Sequence, residues 1–217
     1  TLLMDDNAKR FLNLFQGFMG AHGQTEVLKS QRNGKQQAKY VIVREPLTVE
    51  LVQSHLDGAL GLGSIPIDEN NQCLFGALDI DDYNLDLPQI AKSIKRLKLP
   101  LTVCRSKSGG AHLYIFLKEK VSATEEEVIV ERGDVGNFIN LPYFNSTHTT
   151  RYAIRSNGDD IILEDFLSKA EKNRISSQAL KELQLGVSPD ILPQGPPCLQ
   201  QLTEYGVPEG GRNNAML

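Results

Sequence analysis

Residues 101–117 read LTVCRSKSGGAHLYIFL. Two apolar runs, Leu101 to Cys104 and His112 to Leu117, flank a polar stretch that ends in two adjacent glycines, Gly109 and Gly110. Short apolar runs on either side of a glycine-containing turn predict two strands that meet as a hairpin. Phe138 to Leu141 and Arg151 to Ile154 follow in similar succession, and Tyr40 to Val43, Leu60 to Ile67 and Cys73 to Ile80 read as strands upstream. Asn33-Gly34 suits a hairpin turn within the polar stretch Lys29 to Lys39. Helical spacing lies between these runs. Apolar residues at 11, 12, 14, 15, 18 and 19 predict a helix over 7–19, closed by Gly20 and Gly23. Those at 87, 90, 91, 94 and 97 predict a helix over 87–97, with Pro88 in the first turn, where proline is tolerated. Thr48 suits the N-cap of a helix over 49–56, and 161–170 and 176–185 also read as helical. Strands and helices do not alternate as β-α-β-α. The order therefore predicts an α+β protein, with a mixed or antiparallel sheet flanked by helices, over a doubly wound fold.

The chain has 217 residues, 40% of them hydrophobic. At this size about 70% of the extended-chain surface can be buried, enough for a true core. A net charge of −4 excludes an arm-type polycation but leaves room for a basic channel on an acidic body. The three cysteines, 73, 104 and 198, lie far apart and form no C-x-x-C pair. They predict neither a zinc cluster nor a disulfide framework, and read as reduced thiols of a cytoplasmic protein. No apolar run approaches the ~20 residues of a membrane span.

The charge is unevenly spread. Residues 68–91 carry Asp68, Glu69, Asp79, Asp81, Asp82 and Asp86 and no Lys or Arg. Residues 88–117 carry Lys92, Lys95, Arg96, Lys98, Arg105 and Lys107 and no acid. Composition alone fits a solvated acidic loop followed by a solvated basic helix. The alternative is a metal site beside a phosphate site.

Within Ala77-Leu78-Asp79-Ile80-Asp81-Asp82, strand alternation puts Asp79 and Asp81 on one face, roughly 6–7 Å apart along the backbone, with Leu78 and Ile80 facing the core. Two such carboxylates repel unless a cation lies between them, and hard oxygen donors suit Mg²⁺ or Mn²⁺. Asp82 falls on the other face and suits a cap for the following loop. The plain alternative is a strand end opening into an acidic turn. In Arg105-Ser106-Lys107-Ser108-Gly109-Gly110-Ala111-His112, backbone N–H groups of the glycine turn can cradle phosphate. Ser106, Ser108 and Lys107 can add contacts, and His112 can donate to a phosphate oxygen. The alternative there is a polar hairpin with a solvated histidine. Lys29, Arg32, Lys35 and Lys39 suit either a template backbone or a solvated loop, and His22 and His148 have no partner spacing.

Together, LDID at 78–81 and SKSGGAHLYIF at 106–116 resemble the first two motifs of the archaeo-eukaryotic primase superfamily, which includes primases and primase-polymerases. The stretch GNFINLPYFN at 136–145, followed by Thr150-Arg151-Tyr152-Ala153, resembles its phage, plasmid and conflict-system branch, as does His55-Leu56-Asp57-Gly58. The resemblance spans roughly residues 45–155. It implies an RRM-like primase catalytic core over 1–172. It also implies a linker and the start of a truncated helical C-terminal domain over 173–217, where Pro189, Pro193, Pro196 and Pro197 cluster.

The resemblance further implies a template-directed nucleotidyltransferase acting on single-stranded DNA with NTP or dNTP, Mg²⁺ or Mn²⁺ as cofactor, and a possible helicase domain or partner. Asp79 and Asp81 would be the metal ligands in two-metal phosphoryl transfer. Ser106, Lys107, Ser108, Gly110 and His112 would grip the triphosphate, and Arg151 would reach a phosphate or the ribose. The family usually supplies a third acidic ligand from a later strand. The matching position here is Asn140, with Asp134 and Glu131 as acidic alternatives nearby. That departure motivates an alternative, a catalytically weak or inactive nucleic-acid-binding module of the same fold. A metal-dependent nuclease is a weaker option, because it needs no triphosphate grip. The family usually has a longer insertion before Gly136, and TEEEVIVERGD at 124–134 fits neither helix nor strand, so residues are expected to be missing near 124–135.

Overall fold

The architecture comes from a computed structural model that describes residues 2–32, 35–80, 84–107, 109–123, 138–186 and 215–216. The chain order is α1 (Leu2–Leu14), β1 (His22–Arg32), β2 (Lys35–Val43), α2 (Val49–Leu56), β3 (Gly61–Ser64), β4 (Gln72–Ile80), α3 (Leu87–Arg96), β5 (Leu101–Arg105), β6 (Ala111–Ser122), β7 (Ile139–Asn140), β8 (Ala153–Ile154), β9 (Asp160–Ile161), α4 (Leu163–Lys172), α5 (Ser177–Gly186) and β10 (Ala215–Met216). Two sheets form, one ordered β2-β1-β3-β7 and the other β10-β4-β6-β5-β8-β9. Every strand pair in them is antiparallel, so the α+β expectation holds. A parallel bridge, Leu117 with Ile175, ties the segment after α4 to β6.

The six-stranded sheet buries both faces. On one face Phe75, Ala77, Cys104, Tyr114, Phe116 and Ala153 pack against Phe11 and Phe15 from the α1 region and Phe166 and Leu167 from α4. Phe15 meets Phe75, Tyr114 and Phe116 edge-on, with ring centroids 5.2–5.4 Å apart. Such contacts add about 0.5–1.5 kcal/mol each beyond area burial. On the other face Leu78, Ile80, Val103, Leu113 and Ile154 pack under Leu87 and Ala91 of α3. Leu78 and Ile80 thus face the core as strand alternation predicts. The buried thiols Cys73 and Cys104 are free, and burial pushes the Cys73 thiol up to about 11. No helix among the described residues is long and apolar enough to cross a membrane.

The first helix departs most from its predicted bounds, ending at Leu14 rather than Met19. Beyond it the Phe18 amide donates to the Ile65 carbonyl at 2.8 Å, and a Cβ on Gly17 would lie 1.9 Å from that same oxygen. The chain is drawn off the helix by a contact with a segment nearly fifty residues away, which periodicity does not register. Gly23 lies inside β1 and does not terminate a helix. Capping signals fare better. Thr48 accepts from the Leu51 amide at 3.3 Å and opens α2. The strand β6 runs on to Ser122, past the predicted end at Leu117. The segment 124–135 and the proline cluster over 189–197 lie outside the described residues.

Candidate active site

The acidic block divides by local structure. Asp68 accepts from the Asn70 and Gln72 amides and pairs with Lys120, which holds a turn before β4. The Lys120 pair and these amides hold the Asp68 carboxyl below its usual value against the opposing effect of burial. Asp86 is the N-cap of α3, accepting from Gln89 at 3.0 Å. Asp79 alone of the described acids in this block lies at the sheet end beside the glycine turn. Asp81 and Asp82 lie outside the described residues.

Asp79 sits directly across from His112 in the β4–β6 register. The His112 Nε2 is 3.2 Å from Asp79 Oδ1, and Nδ1 is 2.9 Å from the Tyr114 hydroxyl. Tyr114 in turn donates to the Asn140 carbonyl at 3.3 Å. With its proton committed there, the hydroxyl takes a proton from Nδ1, and Nε2 points at the carboxylate. Asp79 Oδ1 is buried and, among the described residues, accepts no hydrogen bond despite the short contact. Burial holds the Tyr114 phenol well above its usual range, so it stays a donor.

The turn reaches this pair through Gly110. A Cβ there would lie 2.1 Å from the Ile80 carbonyl, so glycine is required for the turn to close against the end of β4. Ser106 and Gly110 close the turn with a 3.0 Å backbone bond, and Gly109 takes φ +100°. Ser106 is buried, whereas Lys107 is exposed and donates to the Tyr40 hydroxyl at 2.8 Å from above that ring. Ser108 lies outside the described residues.

Arg151 is buried, its guanidinium 5.0 Å from the Phe144 ring centre, with Nη1 3.5 Å from the Leu141 carbonyl. Among the described residues no carboxylate pairs with it. Burial lowers its pKa, and the hydroxyls of Tyr114 and Tyr40 are its favourable electrostatic neighbours. Asn140 is tied in from a third side, its amide oxygen accepting from Thr25 at 3.3 Å. Its acidic alternatives, Glu131 and Asp134, lie outside the described residues.

The structure therefore brings Asp79, Ser106, Gly110, His112, Asn140 and Arg151 into one region, with Lys107 at its rim. Sequence reading passed over Tyr114 and Tyr40. Tyr114 carried a usable signal, being two residues from His112 on a strand and hence on the same face. Tyr40 carried none, since its approach depends on how the two sheets meet. The other histidines are accounted for by structure. His22 contacts the Glu45 carbonyl, and His148 is exposed. His55 donates from Nε2 to the Pro142 carbonyl and accepts the Leu62 amide at Nδ1, and burial depresses it to about 4.

Among the described residues no three His, Cys, Asp or Glu side chains are grouped to hold a metal ion. The donor chemistry nevertheless fits a divalent cation. A carboxylate oxygen is buried without a hydrogen bond, beside a ring nitrogen, and a cation or a proton on Nε2 would supply the missing charge.

The two antiparallel sheets and their flanking helices are consistent with the fold of a primase domain. Residues 8–132, more than half of the chain, match the family described as TOTE conflict system, Archaeo-Eukaryotic Primase domain, and the chain belongs to that family. Members of the superfamily are generally primase-like nucleotidyltransferases, whose substrates are nucleotides and nucleic acids and which generally use divalent metals. No curated protein matches the chain.

Proposed function

We propose that this chain is the catalytic part of a primase-polymerase, a template-directed nucleotidyltransferase that starts or extends primers on single-stranded DNA. The observation that carries this reading is the cross-strand pair Asp79–His112, set against the Gly110 turn, with a buried carboxylate oxygen that lacks a hydrogen bond. Asp79 and Asp81 would hold divalent cations, with the Asn140 amide oxygen as a neutral third donor. Bound Mg²⁺ or Mn²⁺ would activate a 3′-hydroxyl and offset charge on the leaving pyrophosphate. The chain's own groups orient the substrate. Backbone N–H groups of the 106–110 turn, with Ser106, Ser108 and Lys107, hold the triphosphate. His112 donates to a phosphate oxygen when Nε2 as well as Nδ1 carries a proton, and Arg151 supplies a second cation. Single-stranded DNA and NTP or dNTP are the partners of this reaction, and a helicase is a possible further one.

The test is incorporation of labelled NTP and dNTP on single-stranded DNA, with and without a primer, in Mg²⁺ and in Mn²⁺. Asp79→Ala with Asp81→Ala is expected to remove incorporation; activity at the unaltered level refutes the assignment. Asn140 favours a second reading, a binding module of the same fold, because its amide oxygen is already engaged by Thr25 and brings no negative charge. DNA binding by the unaltered chain with no nucleotide transfer in either metal supports that reading instead.

A further inference from the structure

A cavity of about 810 Å³ opens on the α3 side of the six-stranded sheet, at the start of β5. The turn at Ser106 follows the other end of that strand, about 13 Å along it by strand rise. Six cationic residues line the cavity: Lys95, Lys98, Arg155, Lys169, Lys172 and Arg174. They come from α3, the α3–β5 loop, the β8–β9 turn, α4 and the segment after it, so the fold gathers them rather than one basic helix. No Asp or Glu is among the lining residues. Arg155 pairs with Asp165, but none of the four lysines has a carboxylate within ion-pair distance among the described residues. Arg174 donates from Nη2 to the Asn13 carbonyl at 3.2 Å, and its Nε is buried without a partner among the described residues. Burial first, and then the neighbouring charges of Arg155 and Lys95, lower the Lys169 pKa, whereas Cys104 opposes them. Cations gathered this way repel one another, and a multiply charged anion relieves that repulsion.

The floor identifies the rest of the ligand. Ile94, Leu101 and Val103 give the cavity an apolar wall beneath the cationic groups. Its volume falls in the range of small-ligand sites. We propose that this cavity binds a nucleoside polyphosphate, phosphates on the lysines and nucleoside against the apolar wall, separately from Asp79 and His112. The proposal does not rest on the catalytic assignment, because no residue is shared.

The test is equilibrium dialysis of radiolabelled ATP against the full chain in EDTA. Binding is measured in a Lys107→Ala/His112→Ala background, where the proposed triphosphate grip no longer contributes, and this chain is expected to keep one ATP site. Lys95→Ala/Lys169→Ala/Lys172→Ala is expected to weaken binding about tenfold or more, through loss of charge-assisted contacts. The matching triple Lys→Arg variant keeps binding within about threefold, since charge is retained. Should the alanine variant melt early, Lys98→Glu alone is read in its place, with an expected loss of about fivefold. Undiminished binding in that variant or in the folded alanine variant overturns the proposal. So does loss of binding in the Lys107→Ala/His112→Ala chain itself. Equal competition by inorganic tripolyphosphate overturns the nucleoside part.

Discussion

The two faces of the six-stranded sheet are made by the same strands, and neighbouring residues on one strand serve opposite ends. On β6, His112 faces Asp79 while Leu113 packs between Leu78 and Val103 under α3. On β4, Asp79 sits between Leu78 and Ile80 in sequence but on the other side of the pleat. The Asp–His face is not polar throughout: two residues further along, Tyr114 and Ala77 already belong to the aromatic core with Phe15. The candidate site is thus the polar end of a core face, whereas the α3 face is apolar as far as the basic rim of its cavity. A strand slipped by one residue would exchange the two sets, so the register that buries Leu113 also creates the Asp79–His112 pair.

Neighbouring substitutions test this separation most strongly. Leu113→Ala is expected to cost about 2–5 kcal/mol in urea unfolding while the folded fraction keeps its transfer activity. His112→Ala is expected to do the reverse, with a stability change of about 1–3 kcal/mol and most transfer lost. If Leu113→Ala abolished activity in fully folded protein, the two faces would not be separable.

A histidine away from the Asp79 end sharpens the comparison. His55 is neutral in the fold, with both nitrogens committed to backbone, and its pKa is depressed from 6.5 to about 4. The unfolded chain therefore binds the extra proton first. His55's contribution is full above about pH 6.5 and falls as pH drops toward 4, by about 3 kcal/mol in total. Urea unfolding at pH 7, 5.5 and 4.5 should show that fall, and His55→Gln should flatten it. An equally steep slope in the variant would assign the acid sensitivity elsewhere.

The smallest expected effect is at Tyr114. Tyr114→Phe removes the hydroxyl that links His112 to the Asn140 carbonyl, at a cost of about 1 kcal/mol. As a positioning residue it should also lower kcat with little change in nucleotide KM. An unchanged kcat would make the hydroxyl merely structural.

The charge blocks show why composition could carry the reading only part of the way. Six acids read as one metal-binding block, yet Asp68 and Asp86 hold a turn and a helix start. Six bases read as one phosphate grip, yet Lys95 and Lys98 line a cavity at the opposite end of β5 from the turn that carries Lys107. A run of like charges records proximity along the chain, whereas side-chain function follows proximity across it.

The sequence by itself determined the strand-turn-strand unit at 101–117, the burial of Leu78 and Ile80 opposite Asp79, the Thr48 cap and the family motifs. Each of these depends on local spacing, on the pleat's period of two or on a backbone donor within one turn. Only the tertiary structure decided the end of α1 at Leu14 ahead of the Ile65 contact, the Asp79–His112–Tyr114–Asn140 chain, the burial of Arg151 with no carboxylate partner among the described residues and the gathering of six cations around one cavity. These contacts join residues tens of positions apart, and pairing register and helix packing set them, which no local pattern encodes.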